Sequence, residues 1–540
     1  MNDSLSNFRH DGDLSVWIQK VGWTLLASLT VAMAMPQVAC TQDAATSPGK
    51  PAASTASSDT KAAAVKQPVI TEQELKEVSD RLILLAVQDE MLRSEAIDGH
   101  RIDVDVDDGI VTLSGLVNNI LTKQIAVGLA ERIRGTVSVI DEIEINVKRR
   151  DDAALQSDVQ AAVQHDPATR HLKVDVKAES GTVTLSGSVP TTGEKTLAGE
   201  VAMGVKGVEE LENDLTVVHQ KTLSDDDLKS EIQELFRYSA LLDDCEIGVT
   251  VKAGVAVLNG KVASPFQKSH ADFVAFQAGA KEVDSRGIHV HWTHTNPLLR
   301  SQRYVKATDE EIRDAIQRTF QHDPRLLSFT PEVQVEHGVV TLTGDVGHLT
   351  AKRSAERDAQ HTIGVHRVKN LLNVRWPDKP PTDEQIANFT RAAMTRDPYV
   401  ERHNLNIECQ NAHVSLYGIV DTQFEKYHAE WIASRQQGVV HVNDYLAVRR
   451  KWTPKSDAAI QADLDDKLAW AFVGPDQQVK ATVKNGVALL TGTVDTWMMW
   501  QTAIDQALAA GAREPHNMIE VRYGLPSGPH YYGPHDYVPR

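Results

Sequence analysis

His289-x-His291-x-x-His294 is the closest approach to a metal-ligand set in this chain of 540 residues. Alternation puts His289 and His291 on one face of an extended segment, but no carboxylate or cysteine joins them, so surface or packing histidines are expected and no metal. Cys40, Cys245 and Cys409 match no metal or redox spacing and make no disulfide framework. Ser114-Gly115 and Ser186-Gly187 resemble nucleophile turns only until the same position is read elsewhere in the chain, where it holds Asn259, Thr343, Tyr417 or Thr491. No phosphate loop or catalytic motif is present, so the expectation is a non-enzymatic protein without a cofactor. The chain does offer cations beside tryptophan, in Arg375-Trp376 and Arg449-Arg450-Lys451-Trp452, together with Trp470 and Trp497 on helical stretches. That chemistry suits a membrane–water interface or a partner surface; its alternative is tryptophan packed between neighbouring modules with the cations in water. Arg300, Arg303 and Lys306 add cations in a stretch read as a linker.

Composition bounds the partners. Hydrophobic residues make up 41% and charged residues 24%, as in a soluble globular protein, and a net charge of −18 argues against a nucleic-acid partner. The charge is uneven: residues 1–222 carry −12 and residues 223–540 carry −6. Only Phe8, Trp17 and Trp23 supply aromatics before Phe236, so the first part of the chain reads as solvated spacers and the remainder as the binding region.

These residues are positioned by an internal repeat. DDGIVTLSG (107–115) recurs five times, closing on Gly115, Gly187, Gly260, Gly344, Gly418 and Gly492 at spacings of 72, 73, 84, 74 and 74 residues. Before each closing glycine lies a period-2 strand such as Ile102/Val104/Val106 or Leu405/Ile407/Cys409, then a two-residue turn, clearest in Asp108-Gly109 and Asn485-Gly486, whose residues need positive φ. The glycine sits in a second strand, where it permits a bulge or the close approach of a packed helix. A helix follows, seen as Ala351, Ala355, Ala359 and Ile363, and then a last strand such as Val368-x-x-x-Leu372-x-Val374. Each unit opens on another helix, started by the capping boxes Thr308-x-x-Glu311 and Thr382-x-x-Gln385 and stopped by Asp-Pro at 166–167, 323–324 and 397–398. The fold class is α+β: a tandem array of six small α-β-β-α-β modules, each a three-stranded mixed sheet with two helices on one face. Polar outward strand positions argue that neighbours touch through helices and strand ends, not sheet on sheet.

The first helix ending in Asp-Pro, the Gly-x-Val-x-Leu-x-Gly hairpin and the Gly-Val-x-x-Val-x-Asn-x-Leu-x-Val finish at 364–374 resemble the BON domain, named for bacterial osmotically inducible and nodulation proteins. Departures are Ala412 in the fifth turn, Gly287 within the third module's last strand and Pro515 at the start of the sixth's. The resemblance implies a binding module of the periplasm or outer membrane, acting in envelope integrity and osmotic stress, with anionic phospholipid or exported proteins as ligands and no catalytic residues.

At the N-terminus, the uncharged run between Lys20 and Asp43 contains an apolar stretch at 21–35 and then Pro36-Gln37-Val38-Ala39-Cys40. It resembles a bacterial lipoprotein signal with Cys40 as the lipidation site; an uncleaved membrane anchor and simple cleavage are the alternatives. All three place the protein outside the cytoplasm, membrane-anchored in the periplasm in the first two. The expected organisation is a signal or anchor segment at 1–40, a flexible tether at 41–69, modules at 70–148, 151–218, 224–293, 308–376, 382–448 and 456–522, a linker at 294–307, and a Tyr/Pro/His tail at 523–540. The functional expectation is phospholipid or envelope-surface binding, with a protein-binding scaffold or chaperone-like adaptor for exported proteins as the alternative.

Overall fold

The computed structural model describes residues 72–97, 102–147, 150–218, 223–292, 294, 297–376, 379–449, 455–471, 478–494 and 497–521. The expectations for Cys40, the tether and the tail fall outside these residues, as do Arg450, Lys451 and Trp452. No helix among the described residues is long and apolar enough to cross a membrane.

All six repeats fold as α-β-β-α-β. In module five, Asn406–Gln410 runs antiparallel to His413–Val420, and that strand pairs in parallel with His441–Val448. The strand with the closing glycine is thus the middle strand, and the same order recurs in every module. Val414, Leu416 and Val420 on its inward side are buried, in one core with Ile386 and Met394 of the first helix and Ala429 and Ile432 of the second. In modules two and four the last strand is broken at the Asn of the Asn-x-Leu finish. The Asn370 side chain accepts from Leu372 N at 3.3 Å and donates to Lys352 O of the second helix at 2.9 Å, and Asn213 does the same with Leu215 and Lys195. This asparagine therefore ties the last strand to the second helix. Gly287 falls at a bulge between Asp284 and Gly287, whereas Pro515 leaves its strand in unbroken register with 487–494.

The turns carry positive φ at both central residues in every module, including Asn411 at 53° and Ala412 at 63° where glycine is missing. A carboxylate pays for this conformation: Asp383, opening the first helix, accepts from Asn411 N and Ala412 N, both at 2.8 Å. Asp80, Asp225, Asp309 and Asp457 hold the corresponding amide pairs, and Asp152 accepts from Ser180 N. The closing glycines all have positive φ, between 110° and 156°. A Cβ at Gly260 would lie 2.1 Å from Glu246 O, and one at Gly187 would lie 2.5 Å from Lys173 O. At these two glycines the close approach is by the backbone of the paired first strand, where a bulge or a packed helix was expected.

Modules one to five pack through their helices. The second helix of module three (Pro265–Gln277) contacts those of module one (Ile120–Arg132) and module two (Thr192–Met203). The first helices of modules three and four meet at Glu231, which takes Arg318 at 2.5 Å and His322 at 2.8 Å. Arg353 of module four pairs with Glu430 of module five at 2.6 Å, and Tyr399 of module five hydrogen-bonds Thr122 of module one at 2.7 Å. These contacts close a circuit, and module two touches all four of its members, including Arg325 of module four through Glu200 and Arg435 of module five through Asp166. The acidic first modules are therefore not solvated spacers. Ala126 and Ala130 of module one and Ala198 and Ala202 of module two, all fully buried, pack in their own modules' cores, and module one's core also takes in Phe424 and Tyr399 of module five. The expected linker is also a built element. Pro297–Lys306 is a helix, whose Arg300 bridges Asp243 and Asp244 at 2.9 Å and whose Arg303 donates to Leu242 O and Cys245 O. This insertion accounts for the single 84-residue spacing.

Two outcomes follow. The amides of Ala412 and Asn411 hold the Asp383 carboxyl below its ordinary range, so its contribution is present above the unfolded carboxylate pKa and lost as pH falls through the folded one. Asp383→Ala should speed hydrogen exchange of those two amides by about tenfold at neutral pH, with the difference narrowing as pH falls below about 4. Arg435 and Asp166 form a buried pair across modules five and two, with Nε–Oδ2 at 2.9 Å. Arg435→Ala leaves that carboxylate unpaired and should cost about 3–5 kcal/mol, read as a lowered thermal midpoint.

Candidate functional site

The tryptophan–cation pairs predicted from sequence meet different fates. Trp376 is half-buried, with the Arg170 guanidinium of module two 4.9 Å above its ring, so this ring joins modules four and two. Arg375 is exposed and pairs with Asp345 at 3.1 Å. Arg449 is 71% exposed and lies 3.3 Å from Asp421. Trp470 and Trp497 fall in the helices Asp457–Ala471 and Trp497–Ala510, but their side chains lie outside what is described; Trp500 packs against module six's core. Arg300 and Arg303 are engaged within the protein and are not available to a membrane. Cys245 is buried in module three's core and Cys409 packs against module five's, both as free thiols.

His289 and His291 are both exposed, and the rings of His291 and His294 lie 5.4 Å apart. Potential ligand atoms converge instead at His403, Asp421 and Glu425. There, Arg402 pairs with both carboxylates, and Glu425 accepts from Asp421 N and Thr422 N as a capping-box residue. The group's charge is already balanced, and its polar atoms serve the start of the helix Gln423–Ser434.

An exposed aromatic pair lies on the outward sheet face of module five. In the parallel ladder Tyr417 pairs with Tyr445, and their rings stack with centroids 5.1 Å apart and planes 12° from parallel. Tyr445 is 58% exposed and Ile419, next along the face, is 50% exposed. His413 and His441 form a second cross-strand pair at 5.3 Å; burial, then His413 and Arg353, hold His441 below the ordinary imidazole value. The strand His441–Val448 leads directly into Arg449, which opens the Arg449-Arg450-Lys451-Trp452 run. The sequence reading missed the Tyr pair. Its signal was the bulky Tyr417 where the other copies hold Ser, Asn or Thr, and its partner becomes visible only with the parallel register.

A family model described as the BON domain matches residues 79–147, 151–219, 224–290, 308–375, 382–450 and 456–523. The chain belongs to the BON-domain family. Over 145 residues it is 28% identical to osmotically-inducible protein Y of Escherichia coli (strain K12), a match spanning 26% of this chain and 72% of that protein. Among solved structures it is similar to the C-terminal domain of CdsD, the structural protein of the type III secretion system of Chlamydia trachomatis, at 17% identity and a TM-score of 0.11, covering 35% of this chain and 90% of that one. A second CdsD structure gives 16% identity and a TM-score of 0.12, with 42% and 94% covered.

Trp376 and Arg375, adjacent in a BON module, should separate on substitution. Trp376→Ala should lower stability by about 1–2 kcal/mol through the lost stacking under Arg170, whereas Arg375→Ala, in an exposed pair, should change it by less than about 1 kcal/mol. Thermal unfolding of the two variants checks this.

Proposed function

We propose that this is a non-enzymatic, exported BON-repeat protein, held at the periplasmic side of the envelope by its N-terminal segment. It binds anionic phospholipid surfaces in the service of envelope integrity under osmotic stress. Membership of the BON family and the likeness to an osmotically inducible protein support the setting. The observation that carries the ligand is the outward face of module five. An exposed tyrosine pair and Ile419 lie on the face whose last strand leads to Arg449, and the sequence continues from there into Arg450 and Lys451. Tyrosine is at home at the membrane interface, and each cation near an anionic surface contributes about 1 kcal/mol. Module one also exposes Ile110, Leu116 and Ile140 outward, but Asp103, Asp105, Glu142 and Glu144 are exposed there too, and an anionic surface repels them.

Flotation tests this, using the chain from residue 41 onward so that an acyl group or N-terminal anchor does not dominate. Binding should occur to phosphatidylglycerol-containing vesicles and not to neutral ones, and should weaken as salt rises. Changing Arg449, Arg450 and Lys451 to Glu should reduce it at least about 100-fold, and Tyr417→Ala with Tyr445→Ala about tenfold. Equal binding to neutral vesicles, or none to either, overturns the reading; the latter favours the scaffold for exported proteins.

A further inference from the structure

The outward face of module one's sheet carries one sign of charge. Asp103, Asp105 and Asp107 stand on the strand Ile102–Asp107, and Glu142 and Glu144 on Ser138–Ile145, all exposed. The register sets them in two rows flanking the middle strand Ile110–Val117: Asp103 and Glu142 lie on either side of Ser114, Asp107 beside Ile110 and Glu144 beside Leu116. On the same face Ile110, Leu116 and Ile140 are exposed. The other modules mix the signs there, with Lys173, Lys261, Lys369 and Lys480 at outward strand positions of modules two, three, four and six, and Arg449 after the last strand of module five.

These five carboxylates are not balanced from within the module. Lys123, at the edge of the sheet, is taken by Asp141 at 3.1 Å and by Ile143 O at 2.7 Å. Among the described residues none of the five has an ion-pair partner. Like charges side by side on a sheet cost stability, and exposed aliphatic side chains gain from being covered, so an occupant that brings both cations and apolar surface relieves both. A simple cation answers the charge alone, and an anionic membrane is repelled.

Dimensions narrow the occupant further. Rows on the two outer strands of a three-stranded sheet stand about 10 Å apart, the width of an α-helix with its side chains. Ile110 to Leu116 spans about 20 Å, the length of about thirteen helical residues. We infer that module one's outward sheet face docks a basic amphipathic helix of a partner protein, with the helix's apolar side on Ile110, Leu116 and Ile140 and its lysines or arginines reaching the carboxylate rows on either side. This chain's own helix of that composition, Pro297–Lys306, already has Arg300 and Arg303 engaged with module three, so the occupant comes from another protein. The contact is separate from the lipid face of module five and does not rest on it.

Fluorescence anisotropy with the full chain tests this, using three labelled peptides of about eighteen residues: an amphipathic leucine–lysine helix, a scrambled peptide of the same composition, and the glutamate counterpart of the first. The amphipathic basic peptide should bind saturably and at least about tenfold tighter than the scrambled one, and the glutamate peptide should not bind. Asp105→Lys with Glu142→Lys should weaken binding at least about tenfold, and Ile140→Thr, which leaves the charge unchanged, about threefold. Glu332→Lys with Glu336→Lys makes the same change of charge at exposed positions of module four and should alter binding by less than about twofold. All of these variants replace exposed side chains, and unchanged circular dichroism shows that they fold. Equal binding of the scrambled peptide, or equal weakening by the module-four pair, is general attraction to an acidic protein and overturns the assignment; so does absence of binding, or binding that the module-one variants leave unchanged. Sedimentation velocity should show no self-association through this face; self-association lost in Asp105→Lys with Glu142→Lys would give the face to a second copy and overturn it too.

Discussion

A three-stranded sheet with two helices on one face leaves the helices' outer sides still to be covered, and buried helix residues outside the module cores, such as Glu131, Glu200 and His270, mark that cover. The modules resolve this by covering one another's helices. The second helices of modules one, two and three meet through Ile120–Arg132, Thr192–Met203 and Pro265–Gln277, and carboxylate–guanidinium pairs close the junctions among modules two, three, four and five. The consequence is directional: once helices face helices, each sheet's other side is what remains for solvent and ligands. Function in such an array is therefore written in the outward residues of the strands, and these differ from module to module while the inward ones repeat.

The junctions are unusually polar for surfaces that hold a protein together. Asp166, Asp323 and Asp397 are buried at the ends of first helices, each accepting a backbone amide two residues on. Each also meets a basic partner: Arg435 in module five, the Arg325–Arg357 pair in module four, and His428. Of these pairs Asp166–Arg435 crosses between modules whereas the other two lie within modules four and five, so at 166–167 the Asp-Pro signal that stops a helix also places a carboxylate at a junction. Buried pairs of this kind add little net stability over an apolar contact but are costly to break singly, which favours one arrangement of modules over looser alternatives.

The repeat was fully legible in the sequence, because closing glycines, paired turns and alternating strands are local signals with fixed spacing. What escaped was non-local. The carboxylates of Asp80, Asp152, Asp225, Asp309, Asp383 and Asp457 stand at a constant 28 residues before the first turn residue, yet hydrophobic periodicity says nothing about a polar clamp between helix and hairpin. The helix Pro297–Lys306 read as a linker because its cations suggested solvent, whereas their partners, Asp243 and Asp244, lie more than fifty residues earlier. Trp376 and Arg375 could not be separated from sequence, since only the position of module two decides which of them is covered. The Tyr417–Tyr445 pair needed the parallel register before two unremarkable tyrosines became one surface.

The central claim is that module five's outward face, and not the apolar but acidic face of module one, meets an anionic membrane. Hydroxyl-radical footprinting of the chain bound to phosphatidylglycerol vesicles reads both faces at once, residue by residue. The account predicts protection of Tyr417, Ile419 and Tyr445 with Ile110, Leu116 and Ile140 unchanged. Protection of module one's residues, or unaltered labelling of the tyrosine pair in the vesicle-bound protein, would contradict it.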